Sequence, residues 1–320
     1  MKRNAKIAGI GGGTGLSSLL EGLKYWTNDL TAIVTVTDDG GSSGRLRKDF
    51  NILPPGDIRN CIVSLAESNS LVSELFQYRF KGKSGLSGHS FGNLFITVMT
   101  AITGSFARGI LETSRVLAIK GKVLPSTLEN VILGAEFKDG NSILGQTKIV
   151  SYSKPIKKVF LVPDNPPAYT GVLKACKEAD IIILGPGSLF SSIIPNLLVK
   201  GVARAIKESK AKKIYICNIM TQPGETDNFT VSDHLFTVEK YLGCNIDYLI
   251  INSGKISESL TRKHRRKNSF AVVDDSDKFI DKTRIIREDV VSNKDFARHD
   301  PEKISKLIFK SFFQTVFKNL

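Results

Sequence analysis

Seven residues constrain this chain more than any others: Gly9-Ile10-Gly11-Gly12-Gly13-Thr14-Gly15, set between an apolar run and an amphipathic one. Ala5–Ile10 reads as a short buried strand. Thr14–Tyr25 reads as a helix with Leu16, Leu19, Leu20 and Leu23 on its apolar face, and Leu30–Thr37 as a second strand rich in β-branched residues. A strand, a glycine turn, a helix and a strand within about thirty residues form a βαβ unit with a right-handed crossover. Consecutive glycines let the backbone turn tightly and leave N–H groups pointing outward at the start of the helix. That end carries roughly half a positive charge, so phosphate is its natural ligand.

The rest of the chain extends the same architecture. From Asp57 to about Ile119 the apolar spacing is helical, and Val123–Phe137 and Ile143–Tyr152 alternate around the turn Lys138-Asp139-Gly140-Asn141, a hairpin signature. Asp180–Leu184 and Lys213–Cys217 are strands of the buried type, with the helix Leu197–Ser209 between them. Tyr248–Asn252 is expected to be the last sheet strand, and Pro301–Phe317 the closing helix. These elements predict one α/β domain over 1–320: a doubly wound, mostly parallel sheet with a helical insertion at about 60–120 and a β-hairpin at about 122–152. Ligands in such sheets bind beyond the carboxyl ends of the strands.

Composition excludes some functions. No apolar run is long enough to span a membrane, and Met1–Asn4 leads directly into the glycine loop, so a cytoplasmic protein without membrane insertion is expected. Cys61, Cys176, Cys217 and Cys244 lack paired spacing and read as buried thiols. The net charge of +14 is dispersed apart from Lys210–Lys213 and Arg262–Lys267. Those clusters lack interleaved aromatics, so nucleic acid is disfavoured while an anionic small ligand fits. A regulatory protein partner and a homo-oligomer are both compatible with this surface.

Four segments carry the chemistry. In the first, Gly11, Gly12, Gly13, Thr14 and Gly15 form the expected phosphate cradle. It lacks the Gly-Lys-Ser/Thr ending of a P-loop and fails the dinucleotide spacing in every register, which leaves an NAD-linked oxidoreductase a distant third reading. In the second, Thr37–Arg47 with Pro54–Asn60, the carboxylates Asp38, Asp39 and Asp57 suit a hard cation such as Mg2+. Asp57 doubles as a candidate N-cap of its own helix. Ser42, Ser43, Arg45, Arg47, Arg59 and Asn60 are candidate phosphate contacts, because such glycine density suggests no packing purpose. In the third, Ser87–Asn93, His89 is a candidate acid/base without a serine or cysteine visibly coupled to it, and Asn93 a ligand contact. The fourth comprises two strand ends, with Gly187 and Ser188 in one and Asn218, Thr221 and Gln222 in the other. Arg298 adjoins a further helix start at Asp300-Pro301 and is a candidate to close over a phosphate.

Taken together, these segments resemble the YvcK group of gluconeogenesis factors. The resemblance is carried by Gly11–Gly15, Thr37–Arg47, Pro54–Asn60, Gly88–Leu94, Gly185–Leu189 and Thr221–Thr226, in order along nearly the whole chain; Ser257–Val291 matches nothing recognisable. The group belongs to the larger CofD-like fold family, whose enzymatic relative is 2-phospho-L-lactate transferase. The resemblance implies a Rossmann-like core, a role in growth on gluconeogenic carbon sources and in cell shape and wall synthesis, and UDP-sugars such as UDP-N-acetylglucosamine as ligands. It also implies an alternative: a Mg2+-dependent transferase acting on a nucleotide-diphosphate-linked donor. There Asp38, Asp39 and Asp57 would hold the metal and His89 would serve the acceptor. A shared fold does not establish that reaction.

Overall fold

The computed structural model describes residues 5–67, 70–279 and 282–313. The segment Met1–Asn4 and the last part of the expected terminal helix, 314–317, lie outside them.

The chain begins with β1 (Ile7–Gly11), α1 (Gly13–Leu23) and β2 (Leu30–Val34), the expected βαβ unit. Five helices follow: α2 (Gly41–Phe50), α3 (Gly56–Leu65), α4 (Ser70–Gln77), α5 (Phe91–Thr103) and α6 (Phe106–Val116). The chain then forms β3 (Lys122–Pro125), β4 (Ile132–Phe137), β5 (Ser142–Leu144), α7 (Gln146–Tyr152) and β6 (Ile156–Val162). Next come α8 (Thr170–Glu178), β7 (Ile181–Leu184), a π-helical turn at Leu189–Ile193, α9 (Ile194–Leu197), α10 (Val202–Glu208) and β8 (Lys212–Ile216). The last part contains α11 (Val231–Leu242), β9 (Tyr248–Asn252), α12 (Glu258–Arg265), α13 (Ser276–Phe279), β10 (Arg284–Glu288), β11 (Val291–Ser292), β12 (Arg298–His299) and α14 (Pro301–Phe313).

Seven strands form one sheet in the order β10-β9-β8-β7-β1-β2-β3, with every neighbouring pair parallel. The central strands are covered on both faces, which is why β1, β2 and β7 are buried along their whole length. The chain runs outward from β1 to β3 and returns to β7 on the other side of β1. The switch point therefore lies between β1 and β7, where a crevice opens beyond the strand ends.

Several expectations change. Gly41–Phe50, to which the sequence pattern assigned no element, is a helix. Val123 lies in β3, an edge strand of the main sheet, so the hairpin proper is β4–β5, extended by the unforeseen β6 into a three-stranded antiparallel sheet. Most of Ile143–Tyr152 is α7 rather than strand. Tyr248–Asn252 is not the last strand of the sheet, because β10 pairs with it in parallel from within the stretch that resembled nothing. Cys61, Cys176 and Cys217 are buried free thiols and Cys244 is half-buried. Among the described residues no helix is long and apolar enough to cross a membrane.

Candidate functional site

The crevice at the switch point is a cleft of about 690 Å3. Its floor is the turn from β1 to α1. Gly12 is the N-cap and offers no side chain, while Gly13 sits at φ +47°, in the left-handed region that favours glycine. The first four N–H groups of α1 have no acceptor one turn back, and Gly12 to Gly15 face the cleft. Gly15 has a second task. A Cβ there would lie 2.2 Å from the Pro186 carbonyl oxygen, so α1 starts in backbone contact with the loop after β7.

That loop supplies Gly187 and Ser188, and the loop after β8 supplies Asn218, Thr221 and Gln222. The two are tied together: Gln222 Nε2 donates to Ser188 Oγ at 2.6 Å, and the Gly187 N–H to Asn218 Oδ1 at 3.4 Å. Buried Glu225 accepts the Phe190 and Ser191 N–H groups and the Ser191 hydroxyl, which anchors the π-helical turn behind the loop. Thr221 is engaged with Phe270, exchanging backbone and side-chain hydrogen bonds at 2.7 and 3.0 Å. Arg298 stands on the rim.

Asp57 does not cap its own helix. The N-cap of α3 is Pro55, and the Asp57 carboxylate instead reaches the first turn of α1, where the Gly13 N–H helps hold its charge. Burial and the neighbouring Asp38 nevertheless push its carboxyl up from 3.8 to about 7. Asp38 and Asp57 both face the cleft. Asp39 does not join them: its carboxylate accepts the Thr147 N–H at 2.9 Å and the Thr147 hydroxyl at 2.7 Å, capping α7 from a distance. Among the described residues no group of three His, Cys, Asp or Glu is gathered as a metal cage. Any divalent cation here would rest on Asp38 and Asp57, with ligand oxygens and water completing its shell, as Mg2+ tolerates.

The other expected contacts sit behind the wall. Gly11 closes β1 opposite Val34. Ser42 and Ser43 are buried in α2. The Ser42 hydroxyl lies 3.0 Å from His89 Nδ1 and accepts from Asn93 Nδ2 at 3.0 Å, so a serine is coupled to His89 after all. The pair is sealed off, with His89 only 6% exposed and neither residue on the cleft surface. Burial, then Arg45, lowers the His89 pKa and keeps the ring neutral.

The arginines are likewise committed to the protein. Arg45 donates to the Ser87 carbonyl at 2.6 Å, Arg47 to Asn130 and the Val131 carbonyl, and Arg59 to Ser90, Asn93 and Asn60. The glycine density of this segment does serve packing. A Cβ on Gly44 would lie 2.0 Å from the Asp39 carbonyl oxygen, and one on Gly56 2.3 Å from Ser43 Oγ.

The cleft also contains residues that sequence reasoning missed. His264, Lys267, Phe296 and His299 contribute to one wall, and Gln146 and Val150 of α7 to another. His299 Nε2 lies 3.1 Å from the Cys217 carbonyl oxygen, and burial pushes its pKa down to about 4. One signal was available, since His264 and Lys267 both belong to the basic run at the end of α12. Phe296 had none.

A parallel sheet with an open cleft at its switch point, floored by a glycine-rich helix start, defines a Rossmann-like α/β protein. Comparison with known proteins gives the lineage. Residues 7–291 match the family described as 2-phospho-L-lactate transferase CofD. The gluconeogenesis factor of Halalkalibacterium halodurans is 47% identical over 313 residues, covering 97% of this chain and 96% of that protein. That of Bacillus subtilis is 45% identical over 311 residues, covering 96% and 98%. A crystal structure of a UPF0052-family protein from Bacillus halodurans superposes with a TM-score of 0.93 at 46% identity, covering 96% of this chain and 99% of that one. The chain belongs to the CofD family, in its gluconeogenesis-factor (YvcK, UPF0052) branch.

Proposed function

We propose that this protein is a nucleotide-sugar sensor. Its cleft takes the diphosphate of a UDP-N-acetylglucosamine-like ligand, and occupancy is passed to a regulatory protein partner that adjusts carbon flux and wall synthesis, hence cell shape. The observation that carries the reading is the glycine-rich first turn of α1, one amide of which holds Asp57, facing a 690 Å3 cleft at the switch point. The amide and hydroxyl groups of Asn218, Gln222 and Ser188 on the same cleft suit a base or sugar. Ser42 and His89, coupled but walled off, favour binding over turnover.

A thermal-shift screen of nucleotides and nucleotide sugars, with and without Mg2+, tests this. A ligand at a hundred times its dissociation constant adds about 2.7 kcal/mol of stability. If UDP-sugars leave the melt unmoved in both conditions, the sensor is refuted.

A second reading is a Mg2+-dependent transferase acting on a nucleotide-diphosphate-linked donor. It is favoured by the paired carboxylates of Asp38 and Asp57 on the cleft surface. Bound Mg2+ would neutralise the diphosphate leaving group. The chain's own part would be to hold the ion on those two carboxylates and to orient the donor on α1. Nucleotide release from candidate donors, abolished by Asp38→Asn, would establish it; no release in the presence of Mg2+ and acceptors would dismiss it.

A further inference from the structure

We propose that Phe296 is the positioning residue of an anion-gripping wall, built from Lys267 and Arg298, that takes the pyrophosphate group of the ligand in the cleft. Only the choice of nucleotide probe rests on the function proposed above.

Three cations gather around one ring. Lys263 Nζ lies 3.9 Å, Lys267 Nζ 4.8 Å and Arg298 Cζ 5.3 Å from the Phe296 ring centre. Lys267, Phe296 and Arg298 all face the cleft, whereas Lys263 is tied back to the Asp295 carbonyl at 2.7 Å. Among the described residues none of the three cations pairs with a carboxylate. The ring's negative face attracts each of them, but their mutual repulsion stays uncompensated inside the protein. An anion arriving in the cleft supplies the missing charge. A guanidinium fork beside an ammonium suits a group offering several phosphoryl oxygens.

The wall is also locked in place. His264 meets Phe296 edge-on at 5.7 Å, and its Nε2 accepts the Ala297 N–H at 3.2 Å. The ring proton therefore sits on Nδ1, which donates to Ser269 Oγ at 3.2 Å; Ser269 in turn donates to the Thr221 carbonyl at 2.8 Å. Burial, reinforced by the three surrounding cations, lowers the His264 pKa and keeps the ring in this neutral form. One imidazole thus fastens the Phe296–Ala297 segment to the basic helix and to the loop after β8. The cations reach the cleft as part of a fixed surface.

Titration calorimetry of uridine, UDP and inorganic pyrophosphate on the full chain, at two KCl concentrations, tests the wall. Lys267→Gln and Phe296→Leu should each weaken UDP and pyrophosphate about tenfold and flatten the salt dependence, with uridine unaffected. Phe296→Tyr, which keeps the π face, should bind as wild type does; loss of packing alone would not respect that distinction. Pyrophosphate that depends on Lys267 while UDP does not bind would keep the wall and reject the nucleotide. UDP held equally by wild type and Lys267→Gln would keep the nucleotide and overturn the wall. Wild-type protein that binds neither anion overturns it as well.

Discussion

Two glycine-rich segments follow the first two strands, and they end differently. Gly12–Gly15 lines an open cleft, whereas Gly40–Gly44 enters a helix whose Ser42 and arginines are spent on His89, Asn93 and loop groups. Both use glycine for close approach. At Gly15 the approach is to the Pro186 backbone, and at Gly44 to the Asp39 backbone. What separates the segments is the space in front of them. Glycine density marks where backbones come close, and topology decides whether a ligand joins them.

Asp57, which links the two regions, gives the largest expected effect. Its carboxyl is raised from 3.8 to about 7, so between those values the folded protein holds a proton that the unfolded chain has released. The stability from this group is complete below about pH 4 and is lost as pH climbs through 7. Asp57→Asn removes that loss. The variant should match wild type at pH 4 and exceed it at pH 8 by up to about 4 kcal/mol, at about 1.4 kcal/mol per pKa unit and less for water in the cleft. Urea melts at both pH values measure it, and a gain equal at both would break the argument.

Packing comes next. Gly44→Ala forces a methyl group against a backbone carbonyl and should cost about 3 kcal/mol. Gly41→Ala, at φ +47° with nothing within 4 Å of the new Cβ, should cost only about 1–2 kcal/mol. Equal losses in chemical denaturation would show that the second segment is not close-packed.

Ser42→Ala should cost about 1–3 kcal/mol by leaving His89 and Asn93 without their shared hydroxyl. UDP-sugar affinity should stay unchanged in the same preparation; a parallel loss of binding would put the sealed cluster back in the site. Gly13→Asp should act on binding, beyond a cost of about 1–2 kcal/mol for a side chain at φ +47°. It sets a second carboxylate beside Asp57, weakens UDP-sugars at least about tenfold and leaves the melt cooperative. Unaltered affinity in calorimetry would remove the cradle from the binding surface.

The βαβ start was legible because five-residue apolar strands and a leucine face flank unmistakable punctuation. α2 was hidden because Gly-Ser-Ser-Gly-Arg-Leu-Arg-Lys-Asp-Phe places only Leu46 in the hydrophobic core, leaving no apolar stripe to count. β10 was missed for a related reason: an edge strand with Arg284, Arg287 and Glu288 exposed carries no buried alternation. α7 imitated a strand because only Ile149 is buried and its start is capped by Asp39, more than a hundred residues away. The cleft's floor could be read locally, but the wall of His264, Lys267 and Phe296 could not. Those residues meet the glycine loop only through tertiary folding.

The helix that floors the cleft is wedged between distant parts of the chain. Gly15 presses on the Pro186 backbone, and a Cβ on Gly22 would sit 2.0 Å from the Pro301 carbonyl oxygen; beside it Trp26 stacks on Phe309 at 4.9 Å. During synthesis, that seat exists only after α14 has left the ribosome. A nascent chain, or one clipped before α14, would retain the glycine motif with its first helix unbraced on that side.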